Sequence, residues 1–157
     1  LDPVQSFVMA MNQEAKRLGM DSTTYTNPHG LSEKDHLSTA ADLAKLAFTA
    51  LGNPMFSDYV STRERGVVVR GSSGYERNVI WKNTNQLLAI QGYEGIKTGT
   101  TSKAGACLAS VCFREDRRLL LVVLGSSSSS SRYTDSRNLY RWAWLNLMGV
   151  NDEMGDH

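Results

Sequence analysis

The feature that most constrains the fold is a change of hydrophobic period along the chain. Up to about residue 60 the apolar side chains recur at helical spacing. From Glu64 to Leu124 they fall into short extended runs joined by tight turns, and beyond a run of serines the helical spacing returns. Hairpins in the middle with helices at both ends predict an α+β layer fold, with helices packed on an antiparallel sheet.

The pattern divides into elements. Val4, Phe7, Val8, Met11, Ala15 and Leu18 predict a helix over 4–18, closed by Gly19 at a position suited to a left-handed cap. Residues 21–37 are rich in Thr, Asn, Pro, Gly and Asp and read as an irregular loop holding Asn27-Pro28-His29-Gly30-Leu31. Thr39 and Asp42 have capping-box spacing and open a second helix with Leu43, Leu46, Ala47, Ala50 and Leu51 on its apolar face. Gly52-Asn53-Pro54 ends it, and a short helical segment over 55–60 follows. Residues 66–70 and 75–81 read as strands around the turn Gly71-Ser72-Ser73-Gly74. Residues 83–90 read as a turn with a short helix. Gly95–Thr101 leads into a strand over 104–113, which turns at 114–117 into a strand over 118–124. Ser126–Ser131 reads as a flexible surface loop. The last helix is expected over 134–148 with Leu139, Trp142, Leu145 and Leu147 among its apolar positions, leaving 1–150 as one domain portion and 151–157 as a frayed tail.

Composition excludes some function classes. The 157 residues suffice for one hydrophobic core, and 41% hydrophobic against 21% charged residues is a globular balance. With 17 basic and 16 acidic residues the formal charge is +1, which gives no basis for nucleic-acid binding. Leu119–Leu124 is the longest apolar run, too short for a transmembrane helix. Cys107 and Cys112 are five apart in a predicted strand, so they should face opposite ways as small buried side chains, without an intrachain disulfide. No His, Cys and Asp cluster has metal-ligand spacing, and no glycine-rich phosphate loop is present.

The chemistry-bearing segment is Gly95-Ile96-Lys97-Thr98-Gly99-Thr100-Thr101. A lysine ammonium supplies positive potential for a carboxylate or a developing oxyanion, a threonine hydroxyl can hydrogen-bond the carboxylate, and a glycine lets a ligand approach the strand. Around it stand Phe7-Val8-x-x-Met11-Asn12, Leu18-Gly19-Met20, Asn27-Pro28-His29-Gly30-Leu31, Ser38-Thr39-Ala40-x-Asp42-Leu43-Ala44 and Asn83-Thr84-Asn85-x-Leu87-Leu88; Ala104-Gly105 and Val123-Leu124-Gly125 follow it. This ordered succession, from about Phe7 to Leu147, closely resembles the D-alanyl-D-alanine carboxypeptidases among the low-molecular-mass penicillin-binding proteins.

The resemblance implies a β-lactamase/transpeptidase-like fold and roles for particular residues. Lys97, Thr98 and Gly99 match the third active-site motif of the family. Thr100 matches the residue whose backbone N–H joins the oxyanion hole. Arg132, 35 positions after Lys97, matches an arginine that helps hold the substrate's terminal carboxylate. Lys97, Thr98 and Arg132 would thus bind substrate. His29 is read as a loop scaffold residue, and Asp42 as a helix-start or buried polar residue. His36 and His157 have no supporting context.

The family's other two motifs are not found. No serine is followed by lysine three positions on; Thr100-x-x-Lys103 overlaps the third motif, and Ser136-Arg137-Asn138 falls after it, inside the last helix. In the family both motifs precede the stretch matching Phe7. The chain is therefore expected to begin just downstream of them, with an uncovered sheet edge and a nucleophile supplied by a longer parent or an upstream chain. The implied activity is serine-type removal of the terminal D-Ala from peptidoglycan stem peptides ending in D-Ala-D-Ala, with β-lactams as covalent inhibitors and no metal or organic cofactor. The alternatives are a D-Ala-D-Ala endopeptidase, a β-lactamase, or a non-catalytic peptidoglycan-binding remnant. The implied location is the cell envelope, periplasmic or extracytoplasmic.

Overall fold

Asp2 opens the first helix: its carboxylate accepts the Val4 N–H at 3.1 Å, and Pro3 takes the first helical position, where a missing N–H costs nothing. The computed structural model describes residues 2–152, the last six of them by backbone alone. The first helix, α1, is Pro3–Arg17, and Gly19 follows its end with a φ of 68°, the left-handed cap expected there. Of the predicted apolar face only the second half packs. Ala15 and the following Met20 are buried, whereas Val4 and Phe7 are more than half exposed. A polar clamp ties α1 down: the Asn12 side chain donates to the Tyr25 carbonyl at 2.7 Å and accepts the Tyr25 N–H at 2.9 Å.

The second helix, α2, is Ala40–Leu51. Its cap is half of the predicted box. Thr39 Oγ1 accepts the Asp42 N–H at 3.1 Å, but the Asp42 carboxylate turns away to the preceding loop, accepting from Ser22 N at 2.9 Å and Thr23 Oγ1 at 2.8 Å. Lys45 pairs with it at 3.2 Å and also donates to the Gly19 carbonyl. Asn53 then caps α3, Pro54–Ser61, through the N–H groups of Met55 and Phe56.

The strands form two sheets. β1 (Glu64–Arg70) and β2 (Glu76–Lys82) make an antiparallel ribbon with Val67 opposite Val79. β3 (Tyr93–Thr101), β4 (Gly105–Arg114) and β5 (Arg117–Ser126) form an antiparallel sheet in that order, so β3 is an edge strand. Gln86–Ala89 is a single 3₁₀ turn before β3. The last helix, α4, is Ser131–Asp152.

Three expectations are corrected. Gly95–Thr101 belongs to a full strand rather than a lead-in; its lone apolar residue among Gly, Lys and Thr shows no alternation, and pairing along β4 holds it. The serine run is not one flexible loop. Ser126 ends β5, buried, and donates to Asp135 Oδ2 at 2.6 Å, while Ser128 Oγ accepts the Ser131 N–H at 3.0 Å at the start of α4. That early start places Arg132 inside α4 rather than before it. Cys107 and Cys112 are free, as expected; Cys112 is buried but Cys107 is partly exposed.

The three-stranded sheet is covered on both faces. On one, Ala47 of α2 packs with Ile96 and Val111, joined by Leu51, Phe56, Val60, Ala109 and Leu120. A Cβ on Gly95 would come within 3.0 Å of Val60, so a glycine there lets α3 close onto β3. On the other face α4 seats Tyr133 against Leu87 and Leu108, and Tyr140 and Trp144 against Cys112. Among the described residues no helix is long and apolar enough to cross a membrane. His157 and residues 153–157 of the tail lie outside the described residues, as does the side chain of Leu147.

Asp42 carries the first prediction. Burial alone raises its pKa, but the hydrogen bonds from Thr23, Ser22 and Lys45, with the Lys45 charge, outweigh it and hold the carboxyl below the usual aspartate value. A folded pKa below the unfolded one, about 3.9, means that the ionised form stabilises the fold above that pH, and that this contribution is lost as pH falls through the lowered value. Asp42→Asn should therefore lower the urea midpoint at pH 7, and the gap to the unsubstituted chain should narrow when measured at pH 3.

Candidate active site

Lys97, Thr98 and Gly99 lie in the second half of the edge strand β3, and strand alternation sends their side chains to different faces. Lys97 pairs in register with Ala109, which packs toward α2 and α3; Thr98 pairs with Leu108, which packs toward α4. Lys97 is solvent-exposed and its ammonium lies back along the strand, 2.5 Å from the Thr98 carbonyl. Thr98 is buried, and its hydroxyl meets that of Thr84 at 2.7 Å.

Gly99 differs from Gly95 on the same strand. A Cβ built there meets nothing within 4 Å, so no packing within the chain requires a glycine. The space above it is open to whatever approaches the strand.

Arg132 is 7% exposed. Its Nη1 donates to the Gly99 carbonyl at 3.2 Å and Thr100 Oγ1 at 3.0 Å, with the Cys107 carbonyl at 3.5 Å. Its Nε is buried without a partner, and its guanidinium stacks over the Tyr133 ring at 5.1 Å. No carboxylate pairs with Arg132 among the described residues. A buried cation held only by carbonyls, a hydroxyl and a ring is poised for an anion.

This order matches a known family. The family model described as D-alanyl-D-alanine carboxypeptidase matches residues 3–128. The chain belongs to the D-alanyl-D-alanine carboxypeptidase family. It is 33% identical over 141 residues to the D-alanyl-D-alanine carboxypeptidase DacC of Escherichia coli, covering 89% of this chain and 34% of that protein. It is also 34% identical over 139 residues to a D-alanyl-D-alanine endopeptidase of Pseudomonas aeruginosa, covering 87% and 44%. Its fold superposes on the crystal structure of a Streptomyces DD-transpeptidase with a TM-score of 0.85 and 31% identity, over 90% of this chain and 55% of that one. The chain thus spans about a third of the length of DacC and just over half of the solved transpeptidase. The resemblance read from the motifs and the α+β, transpeptidase-like fold are both borne out.

Within this family member the predicted residues fall into two groups. Thr98 meets Thr84 and Thr100 meets Arg132, whereas Lys97 is exposed and bonds the Thr98 carbonyl. His29 is exposed on its loop and its Nδ1 accepts the Leu31 N–H at 3.2 Å; His36 Nδ1 accepts the Thr26 N–H at 3.1 Å. Both rings brace the loop locally. Among the described residues no group of three His, Cys, Asp or Glu side chains converges as a metal site.

Sequence reasoning missed the supports. Tyr133 Oη donates to the Thr84 carbonyl at 2.9 Å and accepts the Gln86 N–H at 3.3 Å, tying the turn before β3 to α4. Ser32, just after the Asn27–Leu31 stretch, meets Thr101 Oγ1 at 2.6 Å at the strand's end. A signal for Thr84 existed, since it is the centre of Asn83-Thr84-Asn85; Ser32 and Tyr133 have no local pattern. Thr84→Val removes the partner of the buried Thr98 hydroxyl and should cost about 1 kcal/mol, read as a lower midpoint in urea denaturation.

Proposed function

We propose that the chain supplies the substrate-gripping strand of a serine-type D-Ala-D-Ala carboxypeptidase acting on peptidoglycan stem peptides. The observation that carries this reading is Arg132: a buried guanidinium with no carboxylate partner, bonded to Gly99 and Thr100 of the edge strand. A stem peptide ending in D-Ala-D-Ala offers the terminal carboxylate such a group lacks. In this reading the peptide lies along the free edge of β3, over the open space at Gly99. Arg132 takes its carboxylate, with the Thr100 hydroxyl beside it. The buried Thr98 hydroxyl joins by exchanging its bond to Thr84 for one to the ligand.

The scissile carbonyl then sits over the strand, where the Thr100 backbone N–H donates to the developing oxyanion and the exposed Lys97 ammonium adds positive potential. The attacking serine lies outside these residues, since none of the serines here precedes a lysine by three positions. Its acyl-enzyme would pass the peptide to water, and no metal or organic cofactor enters the reaction. Peptidoglycan as substrate places the protein in the extracytoplasmic cell envelope. β-Lactams, which resemble acyl-D-Ala-D-Ala, would acylate the protein that includes the serine.

The test is product analysis with that protein on a monomeric pentapeptide and on a cross-linked muropeptide. Release of D-Ala from the pentapeptide is expected. Cleavage confined to the cross-link would make it an endopeptidase, the activity named for the Pseudomonas relative. Two substitutions probe the site. Arg132→Leu should lower kcat/KM for the pentapeptide roughly 10- to 100-fold, the loss of one charge-assisted contact. Gly99→Ala should leave the denaturation midpoint nearly unchanged, because its Cβ meets nothing, yet slow labelling by a fluorescent penicillin.

A further inference from the structure

We propose that a cavity at the far end of the sheet from Lys97, between the middle of α4 and the ends of β3 and β4, binds a phosphate-bearing ligand with a small apolar body. The cavity measures about 540 Å³, within the size range of small-molecule sites. Tyr93 at the start of β3 lies on its wall, seven positions along the strand from Thr100, roughly 20 Å away. It is therefore separate from the substrate strand.

Three arginines line it, Arg114, Arg137 and Arg141, and no aspartate or glutamate does. Arg137 and Arg141 are four apart on α4, so they stack on one face of the helix as a like-charged pair. Among the described residues neither makes an ion pair or a side-chain hydrogen bond, and Arg114 pairs only with its exposed neighbour Glu115. The chain's net charge of +1 gives no general excess of positive charge. Of the three, Arg137 and Arg141 have no acidic partner among the described residues.

The floor is apolar. Tyr140 and Trp144 are buried with Cys112 on the same wall, and Tyr93 packs edge-on against Tyr140. Burial raises the Tyr93 phenol above its usual pKa, with Cys112 adding to it and the Arg137 charge opposing it. A floor of low polarity strengthens each charge–charge contact above it. The planar guanidinium fork fits phosphate oxygens two at a time. One such fork suffices for a carboxylate; three match a dianion. The aromatic floor and the exposed Leu145 at the lip leave room for an apolar body on the phosphate.

Phenyl phosphate is the probe, titrated calorimetrically into the full chain, with inorganic phosphate and benzoate as comparisons. Saturable binding of phenyl phosphate that weakens with added salt is expected, tighter than either comparison. Arg137→Ala and Arg141→Ala, both on exposed positions of α4, should each weaken it roughly tenfold or more. Phenyl phosphate should also slow alkylation of Cys112 in the unsubstituted chain, followed by peptide mass, without slowing that of Cys107. Absence of saturable binding at millimolar concentration, or unchanged affinity in the folded double variant, would overturn the proposal. Equal binding of benzoate would overturn the phosphate assignment, and equal binding of inorganic phosphate would overturn the apolar body.

Discussion

Everything at the candidate active site depends on one buried cation. Arg132 sits in the first turns of α4, but its guanidinium reaches the carbonyl of Gly99 and the hydroxyl of Thr100 on β3. A charge removed from water must be solvated by the protein, and here the solvating groups are backbone carbonyls, a hydroxyl and the Tyr133 ring. None carries a full negative charge, so the arginine is held in place without being neutralised. The same contacts lock helix to strand. The electrostatic demand of the site and its geometry thus come from one side chain.

The strand must be equally well placed, and a chain of short polar contacts sees to that. Tyr133 clamps the turn at Thr84, Thr84 meets Thr98, and Ser32 meets Thr101. The Ser32 contact draws in the long loop after α1, itself pinned by Asn12 to Tyr25 and by Asp42 to Ser22 and Thr23. An edge strand has backbone groups on one side that no neighbour orders. Here side-chain contacts at its turn, middle and end do the ordering, which leaves the free edge available to a peptide.

The fold was readable because period and punctuation agreed. Gly19, Thr39, Asn53 and the Gly71–Gly74 turn each end or open an element where the apolar pattern changes. Periodicity alone does not mark β3, because Ile96 is the only apolar residue between Gly95 and Thr101 and Gly95 is needed for the approach of Val60; the Lys-Thr-Gly motif is what points to a strand there. The serine run misled for a related reason. Composition reads it as a loop, but its hydroxyls find partners that composition does not reveal, Asp135 for Ser126 and the α4 N-terminus for Ser128. Lys97, Thr98, Gly99, Thr100 and Arg132 were named from motif order. That Lys97 and Thr98 face opposite sides follows from strand alternation, yet only once β3 is known to be a strand.

That opposition bears on how the proposed reaction is divided. The α4 side of β3 is closed: Thr98 is buried, and Leu108, Leu87 and Tyr133 pack around it. Lys97 itself is exposed, although Ile96 beside it is buried against Ala47 of α2. A ligand on the edge would therefore meet a fixed guanidinium for its carboxylate and an accessible ammonium at Lys97. Binding tolerates no play in the group that receives the carboxylate, because a misplaced guanidinium forfeits both forks of the contact. An attacking hydroxyl must arrive from a side not yet filled. A buried Arg132 against β3 and an exposed Lys97 on it meet both demands along a single strand edge.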